Sequence, residues 1–152
     1  MKILFIDIDG VLNKLSDKPS RSTPHYCDRN GHLVHSDPEL VFRLNRLVDA
    51  TDCKLVLSSA WRQSREWRED MKAQGIVSEL LDRTPLESKD SICRGNDIRD
   101  WLEAHPEVDD YAILDDKATF LPEQESHLYR CRTDEGLTEE IYEAIKKRFT
   151  KP

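Results

Sequence analysis

The sequence predicts an α/β fold, a three-layer α/β/α sandwich around a central parallel sheet, and three observations carry that prediction. Short runs that are apolar on both faces recur along the chain, as in strands covered by helices above and below. Each is followed by a stretch of helical periodicity, and strand–helix alternation closes into a parallel sheet through right-handed crossovers. Three of the runs end in small polar or acidic residues, and open sheets of this class bind ligands at the carboxyl ends of their strands.

The first run, Lys2–Ile8 (KILFIDI), reads as a buried strand. Residues 13–36 are polar and rich in Ser, Pro and charge, and read as a flap. Within the flap, Asn30-Gly31 stands between His25-Tyr26-Cys27 and Leu33-Val34-His35, a short-range signal for a β-hairpin. Asp37 reads as a helix N-cap with Pro38 at the first helical position, and Leu40, Val41, Leu44, Leu47 and Val48 form an apolar stripe behind it. Cys53–Leu57 is a second buried strand, ending at Ser58-Ser59. A helix is predicted from about residue 63 to 74, stopped by Gly75. Residues 76–93 read as irregular, with a turn at Thr84-Pro85. A helix over 96–104 turns Ile98, Trp101 and Leu102 inward and ends before His105-Pro106. Tyr111–Leu114 is a third buried strand that runs into Asp115-Asp116, and Leu128–Cys131 is a candidate fourth. Thr138 caps a last helix whose basic end, Lys146, Lys147 and Arg148, suits the helix dipole.

A chain of 152 residues fits a single domain, 1–152, with the flap at about 13–36 as its one insertion. The apolar runs are far shorter than a membrane span, and the apolar start is too short for a signal peptide. Four scattered cysteines without a CxxC pair suit a reducing cytoplasm. The net charge of −7 argues against non-specific binding to duplex nucleic acid. Residues 13–36, however, carry a formal +2, which leaves −9 for the remainder. A positive segment in an acidic protein is a place for an anionic ligand, and equally an ordinary solvated loop.

The strand endings carry the chemistry. Asp7-Ile8-Asp9-Gly10, Ser58-Ser59 and Asp115-Asp116, on neighbouring strands, would gather four carboxylates and two hydroxyls around one crevice. Like charges that close require a cation. An all-oxygen donor set selects a hard ion, and Mg²⁺ suits carboxylates, water and a substrate phosphate best.

Phe5-Ile6-Asp7-Ile8-Asp9-Gly10-Val11-Leu12 resembles the first signature of the haloacid dehalogenase (HAD) superfamily, an apolar strand followed by DxDG. Leu55-Val56-Leu57-Ser58 resembles its second signature and Ile113-Leu114-Asp115-Asp116 its fourth, in the same order along nearly the whole chain. The resemblance implies a HAD-like Rossmannoid sandwich with a minimal cap and the activity of a Mg²⁺-dependent phosphatase. Asp7 would be the nucleophile that forms an aspartyl-phosphate, and Asp9 the general acid/base. Asp7, the Asp9 carbonyl and Asp115 would hold the metal, with Asp116 as a ligand or as support behind it. Gly10 would let the backbone turn beside the phosphate, and Ser58 would hydrogen-bond a phosphoryl oxygen with Ser59 and nearby N–H groups. An acid two residues after the nucleophile suits hydrolysis, whereas the ATPase branch carries Thr there. For the cation that steadies the phosphate, Arg94 is favoured and Lys89 held in reserve. Arg94-Gly95-Asn96-Asp97-Ile98, Ser58-Ser59-Ala60-Trp61-Arg62 and Gly136-Leu137-Thr138 resemble a subgroup of small HAD domains linked to RNA-repair proteins.

The short insertions leave little room for a cap, and an open site suits a large phosphorylated substrate such as a single-stranded nucleic-acid end. Arg62, Arg65 and Arg68 follow Ser58 at intervals of three, and Arg62 could grip a flanking phosphate. Glu66, Glu69 and Asp70 interleave with them, so a salt-bridged exposed helix explains the pattern about as well. Trp61 and Tyr26 could stack on a base, though Trp61 reads more readily as core, as do Trp67 and Trp101. His25, Cys27, His32 and His35 match no common zinc-finger spacing, and a surface hairpin is the favoured reading. The alternatives are a general small-metabolite phosphatase and a non-catalytic module that binds Mg²⁺ and phosphate; the Asp7/Asp9 pair speaks against the latter.

Overall fold

The computed structural model describes residues 1–15, 26–27, 29–31, 33–86 and 94–152. Five strands form one sheet: β1 (Lys2–Ile6), β4 (Lys54–Leu57), β5 (Leu80–Arg83), β6 (Asp110–Asp115) and β7 (Leu128–Arg130). Their order is β5-β4-β1-β6-β7, and every neighbouring pair is parallel. Strands β2 (Tyr26–Cys27) and β3 (Leu33–Val34) pair antiparallel as the expected hairpin around Asn30-Gly31.

Alternation along the strands divides the core into two layers. Leu4 and Ile6 of β1, Leu55 and Leu57 of β4, and Ala112 and Leu114 of β6 face α1 (Pro38–Thr51), α2 (Trp67–Ala73) and α4 (Glu139–Phe149). Ile3, Phe5, Val56 and Ile113 face Ile98 and Trp101 of α3 (Arg94–Glu103) on the other side. The Phe5 and Trp101 rings meet edge to face at 5.4 Å. The result is the three-layer α/β sandwich, and the capping follows the expected chemistry: Asp37 accepts from Glu39 N–H, and Thr138 from Ile141 N–H.

Two expectations are corrected. The segment expected to be irregular contains β5, an edge strand in which Leu80 is buried while Leu81 points outward. The helix expected over 63–74 is two pieces, a 3₁₀ turn at Ala60–Gln63 and then α2. Ser59 caps the 3₁₀ turn through Trp61 N–H, and Ser64 leaves it with extended backbone. Arg62 and Arg68 therefore belong to different elements rather than to one helical face.

Among the described residues no helix is long and apolar enough to cross a membrane.

Candidate active site

The sheet register aligns the three strand ends. Ile6 lies between Leu57 and Leu114, so Asp7, Ser58 and Asp115 follow side by side. The ladder continues one step further, with Asp7 N–H donating to Leu114 O and Ser58 N–H to Ile6 O, both at 3.0 Å. These bonds fix the backbone from which the Asp7, Ser58 and Asp115 side chains emerge.

Asp7, Asp115 and Asp116 are buried, and a carboxylate oxygen of each lies within 4.8 Å of the others. Burial pushes the Asp7 carboxyl well above its ordinary value; the charge of Asp115 adds to this, and Arg94 opposes it. Burial likewise raises Asp115 against the pull of Arg94. Arg94 enters from the first turn of α3, with Nη1 2.5 Å from Asp115 Oδ2 and 3.2 Å from Asp7 Oδ2. Burial lowers the guanidinium, but Asp7 and Asp115 outweigh it and hold Arg94 above its usual value.

Asp116 accepts from Thr133 Oγ1 at 3.2 Å through one oxygen, while its buried Oδ1 has no partner among the described residues. An orphaned carboxylate oxygen beside two more carboxylates, with oxygen donors only, fits a hard divalent cation. Gly10 closes against this group. Its φ is +79°, and a Cβ there would stand 2.4 Å from Asp116 Oδ2, so both the turn and the approach require glycine.

Asp9 stands apart from the cluster, half-buried in the turn after β1. Asn13 Nδ2 donates to its Oδ1 at 3.0 Å, and Trp61 Nε1 donates to its Oδ2 at 3.0 Å. Asn13 also accepts from Gly10 N–H at 2.9 Å. Trp61 in turn packs edge to face on His35 at 5.4 Å, just beyond the hairpin. Sequence reading missed both partners of Asp9. Asn13 opens the polar flap without a pattern of its own, and Trp61 is 52 residues away.

Ser58 is fully buried and donates its hydroxyl to Ile6 O at 3.1 Å, while the Ser59 hydroxyl serves as the cap. Arg62, considered as a phosphate grip, turns inward. It donates to Ser58 O at 3.3 Å, Ser59 O at 2.9 Å and Asp97 Oδ2 at 3.1 Å, and more weakly to Pro85 O. Burial lowers its pKa, and Asp97 counters that. Asp97 lies on α3 three residues after Arg94, so the Arg62–Asp97 pair ties the Ser58 turn to the helix that carries Arg94. Lys89, His25 and His32 lie outside the described residues.

A search of curated proteins finds no match. A family model described as the HAD domain in Swiss Army Knife RNA repair proteins matches residues 3–141, which include every strand end that builds the site. The chain belongs to that family of HAD domains.

Proposed function

We propose that this protein is a Mg²⁺-dependent phosphomonoesterase that works through an aspartyl-phosphate and acts on phosphorylated nucleic-acid ends. The observation that carries the reading is the contrast between two carboxylates two residues apart. Asp7 lies inside a buried cluster of charge, whereas Asp9 lies outside it and, among the described residues, is held by the neutral N–H donors of Asn13 and Trp61.

In this reading an Asp7 oxygen forms a bond to phosphorus as the bond to the leaving oxygen breaks, and Asp9 delivers a proton to that oxygen. Asp9 then takes a proton from the water that attacks phosphorus, and Asp7 departs as a carboxylate. Arg94, already between Asp7 and Asp115, donates to the transferring phosphoryl group. Ser58 reaches the same group by rotating its hydroxyl away from Ile6 O. Asp7, Asp115, Asp116 and the Asp9 carbonyl would hold Mg²⁺, which supplies positive charge to offset the phosphate oxygens as an anion attacks them.

The RNA-repair description of the family supports the substrate class, as does the number of residues between β1 and α1, which is small for a cap domain. Hydrolysis of an aryl phosphate with and without Mg²⁺ tests the chemistry. Asp7→Asn is expected to abolish turnover with the fold retained, and a wild type inert toward every phosphomonoester refutes the enzyme reading. Comparing a 3′-phosphorylated oligonucleotide with a mononucleotide tests the substrate, and preference for the mononucleotide refutes it.

A further inference from the structure

We infer that Trp61 and Asn13 are positioning residues that clamp both oxygens of Asp9 and so aim it at the leaving group. The inference rests on the phosphatase reading above and adds to it the means by which the acid/base is held.

Asp9 sits in a turn and is only partly buried, where an unrestrained carboxylate would sample several rotamers. Instead, one oxygen is held from four residues ahead by Asn13 and the other from the 3₁₀ turn after β4 by Trp61. Two donors on two oxygens fix the plane of the carboxylate as well as its direction. An ionised carboxylate offers about four acceptor positions, so two N–H bonds leave a lone pair on each oxygen to carry the transferred proton. Both donors are themselves anchored. Asn13 is fully buried and accepts from Gly10 N–H, and the Trp61 backbone N–H is bound by Ser59 Oγ. A buried indole N–H usually finds a partner. What sets this one apart is that it shares its carboxylate with a second anchored donor, and that the carboxylate is the acid/base rather than one of the clustered acids. The chemistry served is one proton passed from Asp9 to the departing oxygen as the Asp7–phosphorus bond forms.

The test uses leaving groups. Trp61→Phe keeps an aromatic ring beside His35 and removes the N–H together with part of the ring's bulk. The specificity constant kcat/KM extends only to departure of the leaving group, so it leaves out the later step in which Asp9 acts as a base. For p-nitrophenyl phosphate, whose phenolate leaves without a proton, kcat/KM is expected to change by less than about threefold. For an alkyl phosphate or a 3′-phosphorylated oligonucleotide, whose alkoxide must be protonated, it is expected to fall by about ten- to a hundredfold. Asn13→Asp keeps the acceptor for Gly10 N–H, turns an acceptor toward Asp9, and should give the same selective loss. Equal losses on both substrates in both variants would mean a merely structural role and overturn the inference. A second readout needs no activity. In a ¹H–¹⁵N spectrum, the indole signal that vanishes in Trp61→Phe should move in Asp9→Ala, while those of Trp67 and Trp101 stay in place. An unmoved signal overturns the clamp whether or not the protein turns over; a moved signal without any wild-type turnover overturns the phosphatase reading and the clamp's purpose together.

Discussion

Removing Asp97 should weaken the protein more than any surface change, because it leaves the Arg62 guanidinium buried without its counter-charge. The two groups are 3.1 Å apart, and their side chains are only 7% and 5% exposed. At an effective dielectric near 20 the attraction is about 5 kcal/mol before desolvation is counted. Desolvation was already incurred on folding, so breaking such a pair from one side typically costs about 3–5 kcal/mol. For a chain of this size each kcal/mol lowers Tm by roughly 2–4 °C, which gives a fall of roughly 6–20 °C for Asp97→Leu. Replacing both partners, Arg62→Met with Asp97→Leu, removes the stranded charge and should recover part of the loss. Recovery stays incomplete because Ser58 O, Ser59 O and Pro85 O lose their donor, at about 1 kcal/mol or more each. Urea unfolding of wild type, single and double variants, compared at constant slope, measures all three. If Asp97→Leu lies within about 1 kcal/mol of wild type, the Arg62–Asp97 pair does not brace the fold.

Gly10→Ala puts a side chain at positive φ, at about 1–2 kcal/mol, and drives it into Asp116. A lower Tm together with weaker Mg²⁺ binding by calorimetry is expected; unchanged binding would separate the turn from the acidic cluster. Mg²⁺ at about a hundred times its Kd should stabilise the wild type by about 2.7 kcal/mol. Asp115→Asn should abolish that increment in a thermal melt, and a retained increment would place the ion elsewhere. Cys53 and Cys131 are buried, and burial pushes both thiols up, with Asp115 and Asp116 adding to the rise at Cys131. At pH 8 both should therefore resist alkylation until urea unfolds the chain, as peptide mass spectrometry would reveal; rapid labelling of native Cys131 would contradict its packing.

The strands under two helical layers were legible because their residues are apolar on both faces, and Leu4 and Phe5 belong to opposite layers of one strand. An edge strand lacks that mark. In β5 only Leu80 is buried, and Asp82 and Arg83 follow it, so nothing distinguishes it from a loop. The acids at the strand ends were legible for the same reason as the strands, since a parallel sheet delivers its carboxyl ends to one place. Which groups hold those acids was not. Trp61 meets Asp9, and Arg62 meets Asp97, only through the tertiary fold. Arg62 misleads for a physical reason: spacing of three suggests one exposed face, but the 3₁₀ turn ends at Gln63 and rotates Arg62 inward beneath Ser58.

The central place of β1 has a consequence for synthesis. It precedes both of its partners in the sequence, and it pairs with β4 on one side and with β6 on the other, Lys2 beside Asp110. At ribosomal speeds of roughly 5–20 residues per second, the second partner emerges several seconds after the first strand. Until then Ile3, Leu4, Phe5 and Ile6 have at least one unpaired edge, a template for association with other nascent chains. Asp7, just past the end of β1, gains Asp115 and Asp116 only when β6 docks, so the acidic cluster and its burial arrive together, late, and in one event.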